Sequence, residues 1–289
     1  ANTLTVNAAI NKTSGTDATL YLDGGTIDIN AAISSSSGRL TLWLDGGTID
    51  VSAPISLNDG ILRIFNSGTS TLGGVFSEGN LLKYGNGELI LTQANAYSRT
   101  YVIAGTLSIS SDANLGALPA STTLNMIHIQ GGHLKTTSDM TINSKRGIIL
   151  NNANSYIDVA DGSTLTYNGV ISGSHSDYNL VLNNSATTGT LLLGGNNTYT
   201  GDTTISNGTL TVTGTLADTT DVSVASGATY DVDQTDTIQS LSGAGTINIA
   251  STNTLTFGDA NDKTIDGVIE GDGSIIKLGA STYTLSNTN

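Results

Sequence analysis

Leu20-Tyr21-Leu22-Asp23-Gly24-Gly25-Thr26-Ile27-Asp28-Ile29 recurs as Leu42-Trp43-Leu44-Asp45-Gly46-Gly47-Thr48-Ile49-Asp50-Val51. The offset is 22 residues, and it carries on into Ala32-Ile33-Ser34 and Pro54-Ile55-Ser56. A third, weaker copy, Leu62-Arg63-Ile64-Phe65, is read at the same offset. Apolar and polar residues alternate inside each copy, the period of a half-buried strand. Asp-Gly and Asn-Gly steps such as Asp59-Gly60, Asn86-Gly87, Asn207-Gly208 and Asp266-Gly267 are expected to turn the chain between strands.

Short strands at this spacing, with no helical pattern between them, predict an all-β, right-handed parallel β-helix with about 22 residues per coil. One coil cannot bury its own apolar residues, and stacking supplies the shared core. The 289 residues make about 13 such coils, with Leu, Ile and Val inward and Thr, Ser and Asn outward. A β-sandwich is the rival fold, but an offset that preserves individual residues suits coils better. The chain is expected to form a single unit over 1–289: 22-residue coils over 1–72, a longer repeat over 73–289, and a loop around 110–145.

Composition narrows the function. Ten Lys and Arg against 24 Asp and Glu give a formal charge of −14, which argues against nucleic acid and against anionic lipid. With no Cys there is no disulfide, thiolate metal site or Cys nucleophile. No apolar run reaches the roughly 20 residues of a membrane span, so no direct membrane insertion is expected. Ala1 leads straight into a strand-like segment with no basic-then-apolar leader, which reads as a mature segment or excised piece.

The longer unit runs Gly189-Thr190-Leu191-Leu192-Leu193-Gly194-Gly195-Asn196-Asn197-Thr198-Tyr199-Thr200-Gly201-Asp202-Thr203-Thr204-Ile205-Ser206-Asn207-Gly208-Thr209-Leu210. Relatives run from Gly87 through Ala94-Asn95-Ala96-Tyr97 to Leu107, and from Gly273 to Ser281-Thr282-Tyr283-Thr284. This unit resembles the passenger-associated transport repeat of bacterial autotransporters. The first copy departs from it at Ala96-Tyr97-Ser98, and the third breaks off at Asn289. The resemblance implies a non-catalytic passenger, exported to the cell surface or surroundings of a Gram-negative bacterium. It implies an adhesin or a self-association factor, whose partner is another copy of itself or a host-cell or extracellular glycan or protein. The alternatives are a host-receptor ligand, a toxin or a stalk, and more remotely a polysaccharide-active β-helix enzyme.

Tyr21, Trp43 and Phe65 also fall 22 apart. Their flanking residues are apolar, so alternation puts the rings outside, about 4.8 Å apart as a ladder. They serve either coil stacking or a sugar or protein partner, since flat aromatic faces suit both. They are the binding candidates. Asp23 with Asp45, and Asp28 with Asp50, would stack as carboxylate pairs. A Ca²⁺ slot is one reading; turn-opening and solvated residues are the simpler one, and no metal or cofactor is assigned. Asp158 with Asp161, and Asp231, Asp233 and Asp236, can be drawn as acid/base pairs, but Asp is common in turns and no catalytic residue is assigned. His128, His133 and His175 lack metal-ligand spacing. Tyr97, Tyr199 and Tyr283 read as structural, each ring packed and each hydroxyl wet.

Overall fold

A computed structural model describes residues 2–287. Ala1, Thr288 and Asn289, where the third repeat breaks off, lie outside the described residues. Two compact units divide the chain, 1–135 and 136–289. Both are parallel β-solenoids, and the chain makes about 13 turns of about 21 residues. Among the described residues the one departure from strands and turns is a single 3₁₀ turn, Asp112–Leu115, capped by Ser111. No helix among them is long and apolar enough to cross a membrane.

In the first unit Ala18–Ile29 pairs with Leu40–Val51 in the 22-residue register read from the sequence, from Ala18↔Leu40 to Ile29↔Val51. Leu42 and Leu44, and Ile49 and Val51, point into the core. A second wall stacks Ile33, Ile55 and Phe76. The coils then shorten. Leu42 pairs with Leu62, not with residue 64, and Leu62 pairs with Leu81. The next coil is long: Thr100 pairs with Ile127. The extra length holds the 3₁₀ turn and the residues up to Thr123, where strand resumes. Coil length therefore varies around an average of about 21 residues, close to the 22 read from the sequence. Core ladders fix which residues face inward; corner length is free to vary.

The Asp-Gly-Gly segments do not close turns. Both lie inside continuous 12-residue strands. The glycines answer to crowding: a Cβ on Gly46 or Gly47 would sit 2.8 or 2.7 Å from the carbonyl oxygen of Gly24 or Gly25 in the neighbouring coil.

In the second unit a seven-stranded parallel sheet carries the core. Its ladders run Leu165, Leu191, Leu210, Tyr230, Ile247 and Tyr167, Leu193, Val212, Val232, Ile249, all buried.

The repeat's own residues lie inside the corners. Asn197 is buried, and its Oδ1 accepts the Ile171 N–H at 3.0 Å. Its Nδ2 donates to the carbonyls of Gly195 and Thr215 at 3.1 and 3.0 Å. Asn95 does the same in the first unit: it accepts from Phe76 N–H at 2.8 Å and donates to the Gln93 and Asn114 carbonyls. One side-chain amide thus satisfies backbone groups of two coils at a place where the sheet ladder is interrupted. Tyr97 and Tyr199 are fully buried. Their hydroxyls meet Thr100 Oγ1 at 2.9 Å and Thr203 Oγ1 at 2.7 Å, so they are internally bonded rather than wet.

Among the buried ionisable groups, Lys83 and Asp236 have shifted pKa values. Lys83 pairs with Ile64 and Val102 in an inward ladder. Its ammonium donates to the carbonyls of Tyr84, Gly85 and Ala104, and burial lowers its pKa to about 8. Asp236 is pushed up to about 6 by loss of water, partly offset by N–H donors from Leu216 and Thr237 and reinforced by the charge of Asp218. The native state therefore holds the Asp236 proton more tightly than the unfolded chain does. Between about pH 4 and pH 6 stability falls as pH rises.

Asn197→Ala should lower stability by about 1–3 kcal/mol by leaving the Ile171 N–H unsatisfied. The exposed neighbour Asn196→Ala should stay within about 0.5 kcal/mol. Urea denaturation of both variants checks this. Asp236→Asn should be more stable than the parent at pH 7, by on the order of 2 kcal/mol, with the gap closing by pH 4. Melting curves at the two pH values read it directly.

Candidate functional site: an outward aromatic and arginine face

The outer side of the first unit carries two neighbouring columns of side chains, because alternation sends every second residue outward. In one column Tyr21, Trp43, Arg63, Leu82, Tyr101 and His128 follow one another in register. In the next stand Asp23, Asp45, Phe65 and Tyr84.

Phe65 is therefore in register with Asp45, two positions from where a constant offset of 22 puts it. Its ring nonetheless meets Trp43, with centroids 4.7 Å apart and planes 4° from parallel. The short coil moves Phe65 one column over, and the indole reaches diagonally onto it. Tyr21 caps the indole at 5.5 Å with a 35° tilt. Tyr84 continues the stack below Phe65 at 4.3 Å and 2°. Tyr84 escaped the sequence reading because its coil is 19 residues long, so a search at 22 passes it by.

This geometry changes what the ladder offers. Both faces of Trp43 and of Phe65 lie against neighbouring rings. The Arg63 guanidinium also sits 5.4 Å from the indole centroid. The inner rings present edges, and Tyr21 at one end of the stack is 50% exposed. Tyr21 donates its hydroxyl to Asp45 Oδ2 at 3.1 Å. Beside the stack, Asp23, Asp45, Phe65, Asn66, Ser67 and Asn86 line an open groove of about 460 Å³. Further along the first column Tyr101 stacks on His128 at 4.3 Å. Loss of water, with a smaller contribution from the Arg99 charge, holds the imidazole below its usual range despite its bond to the Asn125 carbonyl. At neutral pH the positive charge of this face is therefore guanidinium charge.

The remaining candidates are dispersed. Asp23 with Asp45 and Asp28 with Asp50 are in register as expected. Asp158 is buried and accepts from the Ser185 N–H and hydroxyl. Asp161 accepts from the Thr188 N–H and hydroxyl. Asp231 accepts from Thr211 and Asn248, and Asp236 is the core acid described above. These carboxylates tie one coil to the next. His175 pairs with Asp177 at 3.3 Å, far along the chain from His128 and His133. Among the described residues no three His, Cys, Asp or Glu side chains are grouped to hold a metal ion.

The fold thus defines a repeat-built parallel solenoid whose corner residues Asn95, Tyr97, Asn197 and Tyr199 are buried, while Tyr21, Trp43, Phe65 and Tyr84 form an outward stack on the first unit. Its repeats match the Passenger-associated-transport-repeat family at residues 81–109 and 188–212, so the resemblance to autotransporter passengers rests on two separate copies. The chain is also similar to the Adhesin BmaC autotransporter of Brucella suis biovar 1 (strain 1330), with 34% identity over 162 residues. That alignment covers 54% of this chain and 4% of the Brucella protein, so the chain spans a small part of the relative's length. No solved structure matches the chain.

Trp43 is the sole tryptophan, so its emission reports on the stack alone. Phe65→Ala should shift that emission to the red and remove about 1 kcal/mol of ring–ring stabilisation. Emission spectra in buffer and a denaturant titration check both.

Proposed function

We propose that this chain is a non-catalytic segment of an autotransporter passenger, displayed on or shed from a Gram-negative cell, where it acts as an adhesin. The observation that carries the reading is the outward face of the first unit, with Tyr21, Trp43 and Phe65 as its binding residues. Aromatic and arginine side chains are what contact surfaces concentrate, because each contributes a large, partly apolar area. Here they gather on a solenoid whose inward residues are committed to stacking. The similarity to the Brucella adhesin supports the same role. Its location follows from the repeats, which belong to exported passengers. The non-catalytic reading is supported by the carboxylates: Asp158, Asp161, Asp231 and Asp236 are bonded to neighbouring coils, exposed Asp233 stands apart from them, and a buried Asp158 cannot meet a polymer.

The target is either another copy of the chain or a molecule on a host surface. Many weak contacts along a repeat array add through multivalency. Beads coated with the protein separate the two: clumping in suspension marks self-association, and coating of host cells without clumping marks a host target. Replacing Tyr21, Trp43 and Phe65 together by Ala should reduce whichever binding is seen by about tenfold or more, the β-rich circular dichroism being retained. Unchanged binding with intact circular dichroism would remove these residues from the contact surface.

A further inference from the structure

Beside the aromatic columns, on the same outer side, runs a third column: Ile61, Asn80 and Arg99, in register. Together with Arg39, Asp59 and Ser98 these residues line a separate groove of about 290 Å³. The chain has four arginines. Arg146 is buried in the second unit, and the other three, Arg39, Arg63 and Arg99, are on this side of the first. None of the three forms an ion pair among the described residues. Two polar atoms in the groove wall, Asn80 Oδ1 and Arg99 Nε, are buried without a hydrogen-bond partner. Guanidinium groups without an ion-pair partner around one concavity are the complement of an anionic, hydrogen-bonding ligand.

We infer that this groove binds a carboxylate-bearing sugar unit of an acidic glycan. Arg39 and Arg99 take the carboxylate, for which the planar guanidinium fork is suited. Asp59 decides between a sugar and a bare anion: a carboxylate on the rim repels a simple anion but accepts from a sugar hydroxyl. Arg99 and Ser98 also border an adjoining groove of about 320 Å³ with Leu118, Pro119 and Met126, a shelf for the C–H face of a pyranose ring. Leu118 is 47% exposed there.

This deepens the adhesin reading and rests on it only for its biological setting. The test is calorimetric titration of the folded protein with tetragalacturonic acid, with its methyl ester, and with inorganic sulfate. Saturable binding of the acid, lost with the ester and at least tenfold weaker for sulfate, is the expected result. Arg39→Ala and Arg99→Lys should each weaken acid binding about tenfold or more, the loss of a charge-assisted hydrogen-bond pair. Asp59→Asn should weaken the sugar and strengthen sulfate; Asp59 has φ of 60°, which Asn tolerates, so this variant keeps the fold. No binding of the acid, or equal binding of ester and acid, overturns the proposal. Sulfate binding as tight as the acid reduces the groove to a general anion site and overturns it as a sugar site. Bead binding to cells that persists when tetragalacturonic acid does not compete leaves the adhesin reading standing and removes the groove from it; binding to an acidic peptide in place of the glycan has the same effect.

Discussion

Everything in this molecule depends on coil-to-coil register. A parallel solenoid has few contacts that are local in sequence; each strand bonds the coil before it and the coil after it. A core side chain is buried because its equivalent one coil away lies on top of it, as Leu191 lies between Leu165 and Leu210. A slip by one residue would turn every inward side chain outward. The register is held where the ladders break, by buried side-chain amides that serve two coils at once. Asn95 and Asn197 do this at equivalent corners, and Tyr97 and Tyr199 fill the space beside them with their hydroxyls on buried threonines. The repeat is best understood as a clasp.

The same constraint shapes the outer face. Strict stacking brings side chains of successive coils to within ring-contact distance, so aromatic residues in neighbouring columns face one another. Variation in coil length then shuffles which residues meet. Twenty residues instead of 22 move Phe65 beside Asp45 and place Arg63 over the indole. The ladder becomes a stack of four rings beside a groove in which guanidinium groups have no ion-pair partner among the described residues.

Charge follows a related division. The chain is strongly acidic, and many of its carboxylates are spent in bonds between coils, such as Ser185 to Asp158 and Thr188 to Asp161. Three of its four arginines face outward on one unit. A net charge of −14 therefore does not describe that face, where Arg39, Arg63 and Arg99 stand near Asp23, Asp45 and Asp59 without forming an ion pair among the described residues.

The recurrence of individual residues at fixed spacing determined the solenoid, because only stacked coils require equivalent side chains at equivalent positions. Alternation determined the inward ladders and the outward position of Tyr21, Trp43 and Phe65. Gly46 and Gly47 were visible as repeated glycines, but sequence alone could not separate a turn from a close approach of two backbones. Tertiary structure decided that, because the obstructing carbonyls belong to another coil. It also decided the exact partners on the outer face. Coil length depends on how much chain each corner takes up, which apolar alternation does not encode. Tyr84 joined the stack, Arg63 reached Trp43, and Arg39 and Arg99 came to share a groove only once the short coils had set the columns side by side.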